Sequence, residues 1–178
     1  AEASAPHGGS ASSEGGKWAA ALVRAASLGE VSTVSELLQK QPREASLDVQ
    51  AELPPSWTNV TATFAAAMKG HTAILEVLLA AAANPNLQCQ KATEWDGAFT
   101  LTERDTALVA AARDGHRGCV EALLRAGADP NVPCDSEYLE GAVEWGEEDD
   151  GTETMIYSAL DAANMARQSE IAEIIMRS

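Results

Sequence analysis

The stretch "DTALVAAARDGHRGCVEALLRAGADPNV", Asp105–Val132, decides the fold. Ala110–Ala112 favour a helix and have almost no side chain, so neighbouring helices can approach closely. Gly115 follows where a left-handed residue commonly ends a helix. A second helix after His116 is indicated by an apolar stripe at helical spacing, formed by Val120, Leu123 and Leu124. The stretch therefore predicts two short helices joined by Gly-His and closed by a turn at Asp129-Pro130.

The same unit recurs along the chain. Residues 60–87, "VTATFAAAMKGHTAILEVLLAAAANPNL", align with the quoted stretch at a shift of 45 residues, and Cys134 then falls on Cys89. Residues 20–38, "AALVRAASLGEVSTVSELL", and 158–178, "SALDAANMARQSEIAEIIMRS", are weaker copies. One helix pair cannot bury its own apolar stripe, whereas stacked copies can, which explains why the unit is repeated.

This unit resembles the ankyrin repeat, whose pattern runs Thr-Pro-Leu-His-x-Ala-Ala, Gly-His, Val-x-x-Leu-Leu and Gly-Ala-Asp-x-Asn. The third copy matches it at Thr106, Leu108, Ala111, Ala112, Gly115, His116, Val120, Leu123, Leu124, Gly127, Ala128, Asp129 and Asn131. The chain departs from the pattern at the position of the first His, which is occupied by Phe64 in the second copy, Val109 in the third and Asp161 in the fourth. In the third copy Ala107 also replaces the Pro. The resemblance implies an all-α, ankyrin-type helical-repeat solenoid with long finger loops and a concave groove.

The repeats are more widely spaced than the family period of about 33 residues. Gly29, Gly70, Gly115 and Arg167 occupy equivalent turn positions and lie 41, 45 and 52 residues apart. We therefore expect repeats at approximately 18–41, 60–88, 105–133 and 157–178, with loop insertions at 42–59, 89–104 and 134–156. Residues 17–178 form the repeat domain, and residues 1–16 are interpreted as a flexible tail rich in Gly, Ser and Ala.

Aromatic residues are concentrated in the three insertions. Five of the eight in the chain lie there: Trp57, Trp95, Phe99, Tyr138 and Trp145. Trp and Tyr bury a large area at modest entropic cost, so aromatic residues in polar loops are typical of partner anchors. Alternatively, the rings fold back and cover small cores within their own loops.

The third insertion is strongly acidic. It contains the run Glu147, Glu148, Asp149 and Asp150, and no Lys or Arg occurs between Arg125 and Arg167. One interpretation is a docking patch for a partner with a basic surface, and another is a solvated loop that improves solubility. A calcium site is disfavoured because "EEDDG" lacks the alternating ligand spacing.

The resemblance also implies which helical residues face the groove. Met68, Lys69, Arg113 and Asp114 directly precede a turn glycine and are expected there. His71 and His116 are expected to cap helices or to bond across to the next repeat rather than to bind a metal.

Composition restricts the class of partner and the compartment. The formal net charge of −15 argues against nucleic acid and anionic membranes, and no run is apolar enough for a transmembrane segment. Three cysteines without C-x-x-C spacing indicate free thiols in a reducing, intracellular compartment, for which the cytoplasm is the first choice. Because the first residue is Ala1, an organelle reached after cleavage of a targeting peptide stays open.

These features predict a non-catalytic protein–protein interaction module or scaffold, a stable subunit of a larger assembly that binds through its finger loops and groove. A reversible inhibitor of one enzyme is the alternative. An enzyme on an atypical repeat scaffold is disfavoured because the sequence has no catalytic, phosphate-binding or metal-binding motif. No cofactor and no metal are expected.

Overall fold

The protein is a stack of four antiparallel helix pairs. The computed structural model describes residues 14–42, 45–53, 57–95, 99–139 and 152–178. Within these residues the helices, in chain order, are α1 (Glu14–Leu28), α2 (Val31–Gln39), α3 (Ala62–Met68), α4 (Thr72–Ala80), α5 (Ala107–Arg113), α6 (Arg117–Arg125), α7 (Ala159–Met165) and α8 (Ser169–Met176). The helical-repeat architecture is thus confirmed.

The first helix of each of the last three pairs begins at a hydroxyl side chain. Thr61 accepts a hydrogen bond from the Phe64 N–H, and Thr106 accepts one from the Val109 N–H. Ser158 forms a reciprocal capping box with Asp161. Each hydroxyl satisfies a backbone donor that the helix start leaves unpaired, so these short helices have well-defined first residues.

The turn inside each of the first three pairs packs against a side chain of the next pair. Gly29, Gly70 and Gly115 all have φ near +80° (+80°, +74° and +81°). A Cβ on Gly70 would lie 2.7 Å from a ring atom of His116, and the same applies to Gly29 with His71 at 2.8 Å. All three turns therefore favour glycine for its conformation, and Gly29 and Gly70 also because a histidine ring lies against them.

Both histidines also bond across the repeat boundary. Nε2 of His71 donates to the Ser27 carbonyl, and Nε2 of His116 donates to the Met68 carbonyl, both at 3.2 Å. A bond across the repeat boundary was expected, but its partner is the preceding repeat and not the next one. Ser27 and Met68 lie in the last turns of α1 and α3, so each ring also caps the C-terminal end of an inner helix, whereas neither ring bonds a helix N-terminus.

One continuous core runs through the stack. Its inner helices contribute mainly alanines, and Leu78 and Leu123 are fully buried on the outer helices. Phe64 and Val109, which replace the usual His, are likewise fully buried. Apolar packing therefore occupies the place of the hydrogen bonds that this His normally makes.

The insertions form strands, which corrects the all-α expectation. Six strands make one antiparallel sheet in the order β1-β2-β3-β4-β5-β6. They are β1 (Ala51–Leu53), β2 (Trp57–Val60), β3 (Gln88–Trp95), β4 (Phe99–Thr106), β5 (Cys134–Leu139) and β6 (Thr152–Tyr157). Each pair of consecutive strands is one finger, and the fingers pair with each other as well as within themselves.

The first helix begins earlier than the sequence indicates. Residues Glu14–Gly16, assigned to the tail, lie in the first turn of α1, while residues 1–13 lie outside the described part of the chain. Burial of Trp18 explains why this segment is ordered: its ring is 7% exposed, and its indole N–H donates to the Leu37 carbonyl at 2.8 Å.

Arg167 should be a site of backbone strain. It occupies the turn position that glycine fills in the other three pairs and has φ +59°, a conformation that costs an L-residue about 1 kcal/mol. We expect Arg167→Gly to raise the free energy of unfolding in urea by up to about 1 kcal/mol. The matched control Ala166→Gly, at φ −80°, should lower it instead. Equal effects of the two substitutions would contradict this account.

Candidate functional site

The bases of the fingers meet in a buried row under the inner helices. The residues that directly precede the helix caps are Val60, Asp105 and Tyr157, and each is less than 10% exposed (0%, 0% and 8%). This row contains one apolar, one acidic and one aromatic residue. The second and third fingers can therefore interact through the side chains of Asp105 and Tyr157 as well as through their backbones.

Asp105 is the centre of a polar network. Its Oδ1 accepts a hydrogen bond from the Tyr157 hydroxyl, and its Oδ2 accepts one from Nη1 of Arg113, both at 2.7 Å. Tyr157 lies 52 positions away along the chain, whereas Arg113 belongs to the helix that follows Asp105. The network therefore joins the second finger, the third inner helix and the third finger.

The ionisation of this network is set mainly by burial. Burial raises the pKa of Asp105, and the charge of Arg113 and the Tyr157 hydroxyl oppose this without cancelling it. Burial also raises the pKa of Tyr157, as does its bond to Asp105. Burial alone would lower the pKa of Arg113, but the charge and hydrogen bond of Asp105, together with the charges of Glu103 and Asp114, raise it overall, so the guanidinium remains charged. These pKa directions suit a structural ion pair that holds the finger bases together.

The equivalent cysteines lie beside this network. Cys89 is directly opposite Asp105, and Cys134 is opposite Tyr157. Both thiols are buried and free, as is Cys119, which lies on the stripe of α6. Burial raises the pKa of Cys89 to about 11, so its thiol stays protonated at neutral pH and is a poor nucleophile.

The sheet register assigns the predicted aromatic anchors to one face. Trp57 is opposite Lys91, Trp95 is opposite Phe99 at the far end of the second finger, and Tyr138 is opposite Leu101. Alternate residues of a strand belong to opposite faces, and directly paired residues share one. Trp57, Trp95, Phe99 and Tyr138 therefore share the face of Asp105 and Tyr157, which we call the inner finger face.

The remaining predicted finger residues are not placed. Trp145 and the acidic run Glu147, Glu148, Asp149 and Asp150 lie outside the described residues. Whether they contact a partner stays a prediction.

The four predicted groove residues differ in their surroundings. Lys69 is exposed, and Met68 is partly buried against the core. Arg113 bonds Asp105, and its Nε lies 3.8 Å from Oδ1 of Asp114. Arg113 therefore has a structural role inside the protein that sequence reasoning missed, in addition to any contact with a partner.

Other surface residues were also missed. Met155 on the inner finger face, Ile156 on the opposite face and Met165 at the end of α7 are 51%, 71% and 59% exposed. The signal for Asp105 and Tyr157 was available in principle, because both directly precede the hydroxyl residue that opens a repeat. The exposure of Met155 and Ile156 could not be inferred without knowing the sheet register.

Two kinds of feature are absent from the described part of the chain. Among the residues that the structure describes, no three His, Cys, Asp or Glu side chains lie close enough together to hold a metal ion. None of the described helices has the length and hydropathy needed to cross a membrane.

Comparison with known families identifies the class. The family model for ankyrin repeats matches three copies within residues 22–134. The chain therefore belongs to the ankyrin-repeat family, whose members generally bind other proteins. The fourth helix pair, α7 and α8, lies beyond the matched residues but has the same cap and turn positions. No curated protein matches the chain.

Removing the Tyr157 hydroxyl tests how much the network contributes to the free energy of unfolding. Tyr157→Phe leaves the buried Asp105 with one partner fewer, so we expect a loss of about 1–3 kcal/mol in the free energy of unfolding. In an Asp105→Ala background the same substitution should cost much less, because the hydroxyl has then lost its acceptor. Urea unfolding of the four proteins measures the coupling, and an equal loss in both backgrounds would show that it is absent.

Burial of Cys89 predicts loss of stability at alkaline pH. The unfolded thiol titrates near 9.0 and the folded thiol near 11, so the unfolded chain loses its proton first as the pH rises. The stabilisation is complete below pH 9 and falls by about 2–3 kcal/mol towards pH 11. Raised pKa values at Cys119, Cys134 and Tyr157 act in the same direction.

The measurement is urea unfolding between pH 7.5 and 11 with a reducing agent present. Cys89→Ala should be less stable at neutral pH because of the lost packing, but its stability should decline less steeply above pH 9. Parallel curves for the two proteins would exclude Cys89 as a source of the decline.

Proposed function

We propose that this protein is a stable, non-catalytic subunit or scaffold of a larger protein assembly, and that it binds its partner through the inner finger face and the adjoining groove. The observation that carries the proposal is the sheet register, which assigns Trp57, Trp95, Phe99 and Tyr138 to a single face. Aromatic residues gathered on one surface are typical of the energetic centre of a protein interface.

Exposed apolar side chains support a long-lived complex. Among the described residues, the large hydrophobic side chains that are exposed lie in the first helix pair, at Leu28 and Val31, and in the last finger and helix pair, at Met155, Ile156, Met165 and Met176. None belongs to the two central pairs. Large apolar groups at the ends of a stack are more easily explained if a partner covers them permanently, because obligate interfaces are the more hydrophobic class.

The charge of the third finger supports a partner with a basic surface. The insertion 134–156 contains nine acidic residues and no Lys or Arg. A dense field of one sign accelerates association with a surface of the opposite sign and disfavours partners of like charge. The buried free thiols agree with a reducing, intracellular compartment.

The tryptophans of the second and third insertions, Trp95 and Trp145, test the proposal. After affinity purification of the partner from native material, Trp95→Ala or Trp145→Ala should each weaken its binding by about 2 kcal/mol or more. Neither should change the melting temperature much, because the end of a finger contributes little to the helical stack.

Trp18→Ala is the matched control. Its ring is buried and bonded to Leu37, so this variant should lose stability but keep its affinity per folded molecule. If Trp95→Ala and Trp145→Ala behave like Trp18→Ala, the rings serve the fold and are not anchors. The dissociation rate of the wild-type complex separates a stable subunit, with slow release, from a reversible inhibitor.

A further inference from the structure

The two edges of the finger sheet are built differently. At one edge, β1 has only three residues, its pairing with β2 is irregular, and Pro54 and Pro55 follow it in the sequence. Short strands, bulges and prolines are the usual protections against further strand pairing. This edge is therefore protected against pairing with a further strand.

The opposite edge has none of these protections. Strand β6, "TETMIY", pairs with β5 along all six of its residues without a register shift, and it contains no Lys, Pro or Gly. In the part of the chain that the structure describes, no strand pairs with its outer side. A regular strand of this length offers a row of backbone donors and acceptors to an incoming chain.

The side chains near this edge are apolar and exposed. Ile156, at 71%, is the most exposed large hydrophobic residue described, and its neighbour Met155 is 51% exposed on the other face. Ile156 also borders a shallow cavity of about 370 Å³ lined by Gln88, Arg104, Pro133, Cys134 and Asp135. An added strand would place alternate side chains beside Ile156 above this cavity and beside Met155 on the inner finger face.

We propose that β6 receives an extended segment of a partner protein as a seventh strand, and that this segment alternates apolar residues with Lys or Arg. The proposal rests on the protein-binding function above and specifies how one partner segment is held. Apolar side chains would lie next to Ile156 on one face of the sheet, and basic ones would lie next to Glu153 and the exposed Met155 on the inner finger face.

Charge identifies the occupant as a different protein. The two long segments outside the described residues that precede α1 and β6, residues 1–13 and 140–151, contain no Lys or Arg, so neither complements the acidic finger. A second copy of the chain would bring the same finger and a formal charge of −15, which disfavours pairing of two β6 strands.

The first experiment uses a synthetic probe with the full chain. A fluorescein-labelled heptapeptide of alternating Lys and Val should bind, as measured by anisotropy, and should slow amide hydrogen exchange in residues 152–157. The same peptide with N-methyl groups on two consecutive central residues keeps its charge but loses donors on both edges, so its affinity should fall at least tenfold. Equal affinity of the two peptides, or no change in exchange at β6, would overturn the proposal.

Two variants with the same change of charge locate the site. Ile156→Lys should weaken peptide binding at least tenfold, whereas Met176→Lys, on a helix and 65% exposed in the wild type, should not. If both weaken binding equally, the attraction is general electrostatics and the strand proposal is wrong.

The native partner separates this proposal from the general one. If Ile156→Lys retains the partner while Trp95→Ala loses it, protein binding stands and the β6 site is refuted. If Ile156→Lys abolishes self-association of the wild type in sedimentation, the occupant is a second copy. If deletion of residues 1–13 speeds exchange at β6, the occupant is the chain's own tail. Either of these last results also refutes a partner strand.

Discussion

The contact between each turn glycine and the side chain of the next repeat sets the geometry of the whole molecule. His71 lies against Gly29, His116 against Gly70 and Gln168 against Gly115, so successive helix pairs can stack only in one relation. Packed helices are separated by roughly 8–10 Å. A two-stranded finger adds about the same distance to a sheet, because neighbouring strands are about 4.8 Å apart. Stacking of the helices therefore brings consecutive fingers within hydrogen-bonding distance, and six strands join into one sheet.

This origin of the sheet explains what the sequence could and could not predict. The helices, their turns and the histidine bonds follow from local patterns that recur in each copy, so they were predictable. Strands such as "QCQKATEW" lack a clear apolar alternation, and their stability depends in part on pairing with another finger, as in Trp57 with Lys91, which is distant along the chain. The concentration of aromatic residues in the insertions was visible, but their shared face followed only from the register. The Asp105–Tyr157 bond likewise joins residues with no local relation.

The same geometry accounts for the position of the buried network. The long fingers extend the sheet away from the helices, so the contacts at the base of the sheet must fix its orientation. At that base, Asp105 links two fingers and one helix through bonds of 2.7 Å. A buried carboxylate without partners would be strongly unfavourable, so the network persists only when all three elements are in place. It therefore favours one orientation of the fingers relative to the inner helices, which is what the proposed binding face requires.

The acidity of the chain is difficult to explain as a contribution to folding. Most of the described ion pairs away from the Asp105 network join exposed residues, such as Arg117 with Glu121 or Arg177 with Glu173, and pairs of this kind contribute little. The excess of negative charge is greatest in the third finger, where self-repulsion opposes compact packing. That finger also ends in the unprotected strand β6 and has Ile156 and Met155 exposed. Charge repulsion, unpaired backbone groups at the sheet edge and exposed apolar side chains each make the free protein less favourable than a complex. One extended partner segment with basic and apolar residues would compensate all three.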